Sequence, residues 1–95
     1  VYTYGMNADQ ILKAVERYKG LLTRRGVPSK RQNTASGIKP SETEKLAHIG
    51  WMCEAIPAQV AEGSVAKAER WLCFVQGILW SEGLATIDSM RDDNR

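Results

Sequence analysis

Apolar positions in this chain fall on three long stripes, each with the three-and-four spacing of an α-helix. The most extensive runs through residues 64–84, SVAKAERWLCFVQGILWSEGL, where Val65, Ala68, Leu72, Val75 and Leu79 share one face. Trp71, Phe74, Ile78 and Trp80 widen that face beyond what one neighbouring helix covers. This segment is therefore read as the central helix, packed from at least two sides. A second stripe joins Leu46, Ile49, Cys53, Ile56 and Val60, and a third joins Ala8, Ile11, Val15, Tyr18 and Leu22.

Capping residues set the expected bounds of these helices. Asn7 is a good N-cap with Asp9 in the first turn, which predicts a helix over Ala8–Leu22 whose end is bracketed by Gly20 and Gly26. Ser41 followed by Glu44 forms a capping box that opens a second helix over Glu42–Glu62. Pro57 removes one backbone donor inside it and predicts a kink or an early end, leaving Glu42–Ala55 as the clean part. Gly63 and Ser64 make a C-cap followed at once by an N-cap. So short a turn folds the second helix and the third, Val65–Glu82, into an antiparallel hairpin. In that hairpin Gly50 comes opposite Gln76 and Gly77. A mid-helix glycine costs roughly 1 kcal/mol relative to alanine, so a close approach of two backbones or of a Trp ring is expected at that level.

Thr86 caps a short final helix with Asp88 in its first turn and Ile87 and Met90 as its apolar face, and Asp92–Arg95 is expected to fray. The fold class is thus all-α, an N-terminal helix plus an antiparallel helical hairpin and a short C-terminal helix, forming one domain over residues 1–95. Residues 1–6 read as an extended arm whose Tyr2 and Tyr4 are available to dock on a neighbouring subunit, with Met6 a candidate alternative start.

Length changes this picture in one respect. A 95-residue chain buries only about 60–65 % of its unfolded surface. Three short helices are not expected to cover Trp51, Trp71, Phe74, Ile78 and Trp80 together, so a homo-oligomer is expected. The hydrophobic fraction of 43 % and charged fraction of 25 % are those of a globular protein. No apolar run approaches the roughly 18 residues of a membrane span, and the first ten residues lack the regions of a signal peptide. The expected location is cytoplasmic, without a membrane partner. Cys53 and Cys73 sit inside apolar helical stretches without metal-ligand spacing, and both are expected to be buried reduced thiols.

Charge is distributed unevenly around a net +2. From Arg17 to Pro40 there are seven basic residues and no acid, whereas after Lys45 acids outnumber bases by seven to four. The segment Thr23–Pro40 also lacks any helical or strand periodicity and is rich in Gly, Pro, Ser, Asn and Thr. A loop of this length in a compact domain is usually functional or disordered. Its coincidence with the positive charge makes it the best functional pointer in the chain.

Catalytic and metal chemistry are short of residues. His48 is the only histidine and is expected to be packed or half-exposed, while Glu54, Glu62, Glu69 and Glu82 read as solvated charges on polar faces. The expectation is a non-enzyme with no cofactor and no metal site. Arg24, Arg25, Lys30 and Arg31 are the candidate anion contacts, with Arg70 beside Trp71 as a further one. Arginine engages phosphate oxygens through two donors at once, and a base needs a flat aromatic surface.

The run Ala68-Glu-Arg-Trp-Leu-Cys-Phe-Val-Gln-Gly-Ile-Leu-Trp80, with Thr86-Ile-Asp-Ser-Met-Arg91 and the closing Asn94-Arg95, resembles a family of small uncharacterised phage-encoded proteins, with Cys73 standing where that family has glycine. Arg70-Trp71-Leu72 on the second arm of a helical hairpin resembles phage anti-defence sponges, small helical oligomers that sequester cyclic oligonucleotide signals. The resemblance implies a phage accessory protein in the host cytoplasm that binds a small anionic nucleotide as a homo-oligomer. Two other readings stay open beside it, an inhibitor that docks on a host defence or regulatory protein and a small nucleic-acid-binding module, for which a net charge of +2 is low.

Overall fold

The structure is a computed structural model that describes residues 5–95. It holds four α-helices, α1 (Ala8–Arg24), α2 (Glu42–Ala61), α3 (Val65–Ser81) and α4 (Ile87–Asp93), with no strand among the described residues. The fold class is all-α, as the stripes require. Residues 1–4, and with them the expected roles of Tyr2 and Tyr4, lie outside the described residues.

Local chemistry starts and stops each helix. Asn7 and Gln10, Ser41 and Glu44, and Thr86 and Ser89 form reciprocal capping boxes at the starts of α1, α2 and α4. Ser64 begins α3 without a side-chain cap, contrary to the expectation from its sequence. The end of α2 shows why the chain reverses there. Gly63 takes a φ of 84°, a left-handed conformation that glycine adopts without steric cost, so that Gly63 N–H reaches the Val60 carbonyl and Ser64 N–H the Gln59 carbonyl. The same pair of bonds closes α1 around Gly26 and α3 around Gly83.

Packing decides two bounds that local signals misplace. α1 continues through Gly20 to Arg24, because Leu22 is buried in the core and Leu21 packs against it. α2 runs unbroken through Pro57 to Ala61. The proline costs roughly 3 kcal/mol in a helix interior, and the burial of Ile56 and the packing of Val60 on either side offset it.

The core lies where the three stripes meet. Ile11, Val15 and Tyr18 from α1, Ile49, Cys53 and Ile56 from α2, and Ala68, Leu72, Val75 and Leu79 from α3 are all fully enclosed. Met6 also belongs to this core, and its backbone N–H donates to Glu69 Oε2 at 2.9 Å. The last part of the expected free arm therefore packs on its own chain, and Glu69 is a hydrogen-bonded anchor instead of a solvated charge. Glu82 likewise departs from expectation, accepting from Lys45 Nζ at 2.8 Å and tying the first turn of α2 to the end of α3.

The C-terminus is held, not frayed. Asp93 accepts from the Tyr18 hydroxyl at 2.7 Å and pairs with Arg17, while Asn94 Oδ1 accepts from the buried Gln76 amide at 2.7 Å. The remaining Gln76 amide hydrogen goes to the Tyr18 oxygen at 2.9 Å. Each polar group of this partly buried cluster thus has a partner, as the burial of Tyr18 and Gln76 demands.

Candidate functional site

On one side of α2 and α3 the side chains form a continuous row of rings. His48 and Trp51 lie one turn apart on α2 with ring centres 5.5 Å apart, and Trp51 meets Trp71 of α3 at 5.6 Å with planes inclined by 43°. A cation stands over each indole. The Arg31 guanidinium carbon is 5.3 Å from the centre of the Trp51 ring, and Lys67 Nζ is 5.6 Å from that of Trp71. Such pairs are worth about 0.5–1 kcal/mol at exposed sites. Lys67 reaches Trp71 because the two are four apart on α3 and so share a face. Trp51 and Trp71 are half-buried, packed by their inner edges against the core and open on the outer side.

Arg31 comes to Trp51 from the basic segment between α1 and α2. That segment has neither helix nor strand over residues 27–33, yet it lies against α2 through specific contacts. Lys30 N–H donates to the Ala47 carbonyl at 2.9 Å, and Gln32 N–H donates to His48 Nδ1 at 3.1 Å. Ser29 presses on buried Gly50, where an added β-carbon would sit 2.8 Å from its hydroxyl oxygen. The close approach expected at Gly50 is therefore made by this segment and not by α3. Gly77 has nothing within 4 Å of where its β-carbon would be.

Beyond His48 the row opens into a groove of about 410 Å³. Its helical wall carries Phe74 and Ile78, and its opposite wall carries the polar Gln32, Asn33 and Ser36 of the basic segment. Phe74 is 53 % exposed. The His48 imidazole sits at the junction. Because Nδ1 accepts a hydrogen bond, the neutral ring carries its proton on Nε2. Partial burial, followed by the nearby Arg31 charge, holds its pKa below the ordinary value.

The five basic residues singled out by sequence are dispersed. Arg31 joins the aromatic row, and Lys30, which is exposed, precedes it. Arg24 and Arg25 line a separate cleft of about 260 Å³ with Leu21, Gly83 and Leu84, which shares no residue with the larger groove. Arg70 is exposed on α3 and forms no ion pair among the described residues.

Comparisons with protein-family models, with curated proteins and with solved structures found no match to this chain.

His48, Trp51 and Lys67 of the row, and Gln32 of the adjoining groove, are assigned to no site in the sequence reading. Part of the signal was present, since His48 and Trp51 are three apart and Lys67 and Trp71 four apart within clear helices. Chemically, the arrangement offers an aromatic surface of mutually tilted rings with a cation over each indole, and an adjoining groove with amide and hydroxyl groups. The described residues contain no cluster of metal-ligating side chains, and no helix is long and apolar enough to cross a membrane.

The two thiols differ more than their similar sequence settings suggest. Cys53 is buried, its pKa pushed up to about 12 by desolvation, whereas Cys73 is exposed and not the buried thiol expected. The stripe of α3 that faces the core passes through Leu72 and Val75, which turns Cys73 outward.

Proposed function

We propose that this protein is a non-enzymatic binder of a small anionic nucleotide, held on the row formed by Arg31, Trp51, Trp71 and Lys67. The observation that carries this reading is the placement of a cation over each of two adjoining indoles. A nucleotide needs a flat surface for its base and positive charge for its phosphates, and this row supplies both within one patch. A guanidinium held over an indole keeps its donors free for phosphate oxygens. Lys30 beside Arg31, and Arg24, Arg25 and Arg70 elsewhere on the surface, add positive charge that steers an anion toward the molecule.

On this reading the chain acts as a phage accessory protein that sequesters a nucleotide signal in the host cytoplasm, as a homo-oligomer built on the antiparallel hairpin of α2 and α3. Support for association comes from Phe74 and Trp80, which are 53 % and 55 % exposed. The same exposure favours a second reading, docking on a host protein through the outer side of α3.

The test is tryptophan fluorescence and thermal stability with a panel of ATP, cyclic mononucleotides and cyclic dinucleotides, together with solution mass in their presence and absence. Saturable quenching with a rise in melting temperature for one member is expected. If every member leaves both signals unchanged, nucleotide binding is wrong, and capture of a defined host protein by the wild-type chain but not by Trp80→Lys would support the second reading.

A further inference from the structure

The segment that carries Arg31 is fastened to α2 at three residues on either side of it. Ser29 packs on Gly50, Lys30 N–H donates to the Ala47 carbonyl, and Gln32 N–H donates to His48 Nδ1. Arg31 lies between the last two fastenings, with its guanidinium over Trp51. Of the three, only the contact to His48 involves a group that titrates near neutral pH.

We infer that His48 is a positioning residue that works as a pH latch, its neutral imidazole holding Gln32 and so keeping Arg31 over Trp51, and its protonation releasing the segment. The inference rests on the nucleotide reading only for what release does to binding. An acceptor nitrogen presents a lone pair to the Gln32 N–H, whereas imidazolium carries hydrogen on both nitrogens. Protonation therefore sets two donors against each other at 3.1 Å. The contact becomes repulsive, and the backbone of residue 32 must move away.

The surroundings favour the neutral form. From the basic segment Arg31 faces the ring, and its charge opposes a second positive charge. From α2 the charged groups are Glu44 and Lys45, which line the same groove. Lys45 is held by Glu82 at the end of α3, and Glu44 is engaged in the capping box with Ser41. The other walls at that point are Phe74 and Ile78, which carry no charge. With the folded pKa below the ordinary value, the docked state binds fewer protons than the released one between the two values. Docking is therefore complete above about pH 6.5 and weakens as pH falls through the lower folded value.

This has a consequence opposite to that of a histidine that touches phosphate directly. There, protonation adds a charge-assisted contact and strengthens binding at acid pH. Here, acid withdraws Arg31 from Trp51 and weakens it.

Amide NMR of the uniformly labelled protein between about pH 8 and about pH 5 tests the latch without any ligand. The Gln32 amide resonance should move with the His48 ring resonances at one shared midpoint below that of an ordinary histidine. His48→Asn places an amide oxygen where Nδ1 stands and does not titrate, so its Gln32 amide should hold one position across this pH range. With ATP as probe, wild-type affinity should fall on the order of three- to tenfold over the same range, the worth of one hydrogen bond, relative to His48→Asn. That variant experiences the same titration of the probe. A Gln32 amide that ignores the His48 titration, a His48 midpoint at or above the ordinary value, or wild-type affinity that rises on acidification relative to His48→Asn overturns the latch. Absence of ATP binding at every pH counts against the nucleotide reading, and the Gln32 amide still decides the latch.

Discussion

The Tyr18 hydroxyl donates a 2.7 Å hydrogen bond to Asp93, 75 positions along the chain, and so keys the last turn of the protein into its first helix. Tyr18 is fully enclosed, and the Asp93 side chain is only 10 % exposed. Replacing Tyr18 by Phe leaves the Asp93 carboxylate with one donor fewer and frees a Gln76 hydrogen in a buried setting. Unfolding in urea should show a loss of about 1–3 kcal/mol. The phenol is pushed well above its usual range, chiefly by burial, with the Asp93 charge adding to it. A group whose folded pKa is raised contributes stability below its unfolded value and loses it as pH climbs, so the wild-type protein should weaken above about pH 10. The Tyr18→Phe protein should show less of that alkaline loss. Unchanged stability at neutral pH would mean that the tail is held without this bond.

The two mid-helix glycines, Gly50 of α2 and Gly77 of α3, should respond oppositely to alanine. Gly77 meets nothing within 4 Å, so Gly77→Ala removes only backbone entropy and should stabilise by about 1 kcal/mol. At Gly50 the new methyl would sit 2.8 Å from the Ser29 oxygen and 3.5 Å from the Ser29 α-carbon. The short Ser29 side chain cannot swing far, so the segment must lift from α2. Gly50→Ala should therefore gain less stability than Gly77→Ala or lose some, and should speed amide exchange at Lys30 and Gln32. Equal gains from both substitutions would show that the segment accommodates the methyl without moving.

What the sequence made legible was what local chemistry determines. Every helix began at the residue its cap marked, because a capping box or a Schellman turn is written within a few consecutive residues. The faces of α1, α2 and α3 that form the core were equally plain from their spacing. The attachment of the basic segment was not, since backbone N–H groups of Lys30 and Gln32 supply the bonds and leave no mark in residue type. Gly50 was the one trace of it, and it was assigned to the wrong neighbour. Gln76 carries no signal of its role in residue type, and Asp93 and Asn94 read as part of a fraying end, because their role exists only once α1, α3 and α4 meet. In the candidate site the pairs within one helix were visible, whereas joining Arg31 to Trp51 and Trp51 to Trp71 required the tertiary fold.

The cysteines should separate cleanly under a thiol reagent. Cys73 is exposed, although partial burial and then Glu69 raise its pKa, so it should react at a rate that increases with pH. Cys53 is enclosed and pushed up to about 12, and should react only when the core opens. A disulfide-forming reagent should label one thiol per native chain and two in denaturant. Two labels under native conditions would place Cys53 in a readily opened region. Cys53→Ala should leave the native count unchanged, whereas Cys73→Ser should abolish it.

Substitutions in the two basic clusters decide where a nucleotide sits. Arg31→Glu reverses the charge over Trp51, and Lys67→Glu does so over Trp71. Each should weaken ATP binding by about 1–3 kcal/mol, the range for a lost charge-assisted contact, and leave helix content unchanged because both side chains are exposed. Trp51→Leu keeps an apolar side chain against the core but removes the ring shared by His48, Trp71 and Arg31, so it should cost at least as much. Reversal of Arg24 and Arg25 acts at the separate cleft beside Gly83 and Leu84. If those arginines only steer the anion, their reversal should slow association and lose its effect as salt is raised, with dissociation unaltered. Stopped-flow binding at two ionic strengths distinguishes the cases. A faster dissociation on reversing Arg24 and Arg25, with none on reversing Arg31, would move the site from the aromatic row to the cleft at the end of α1.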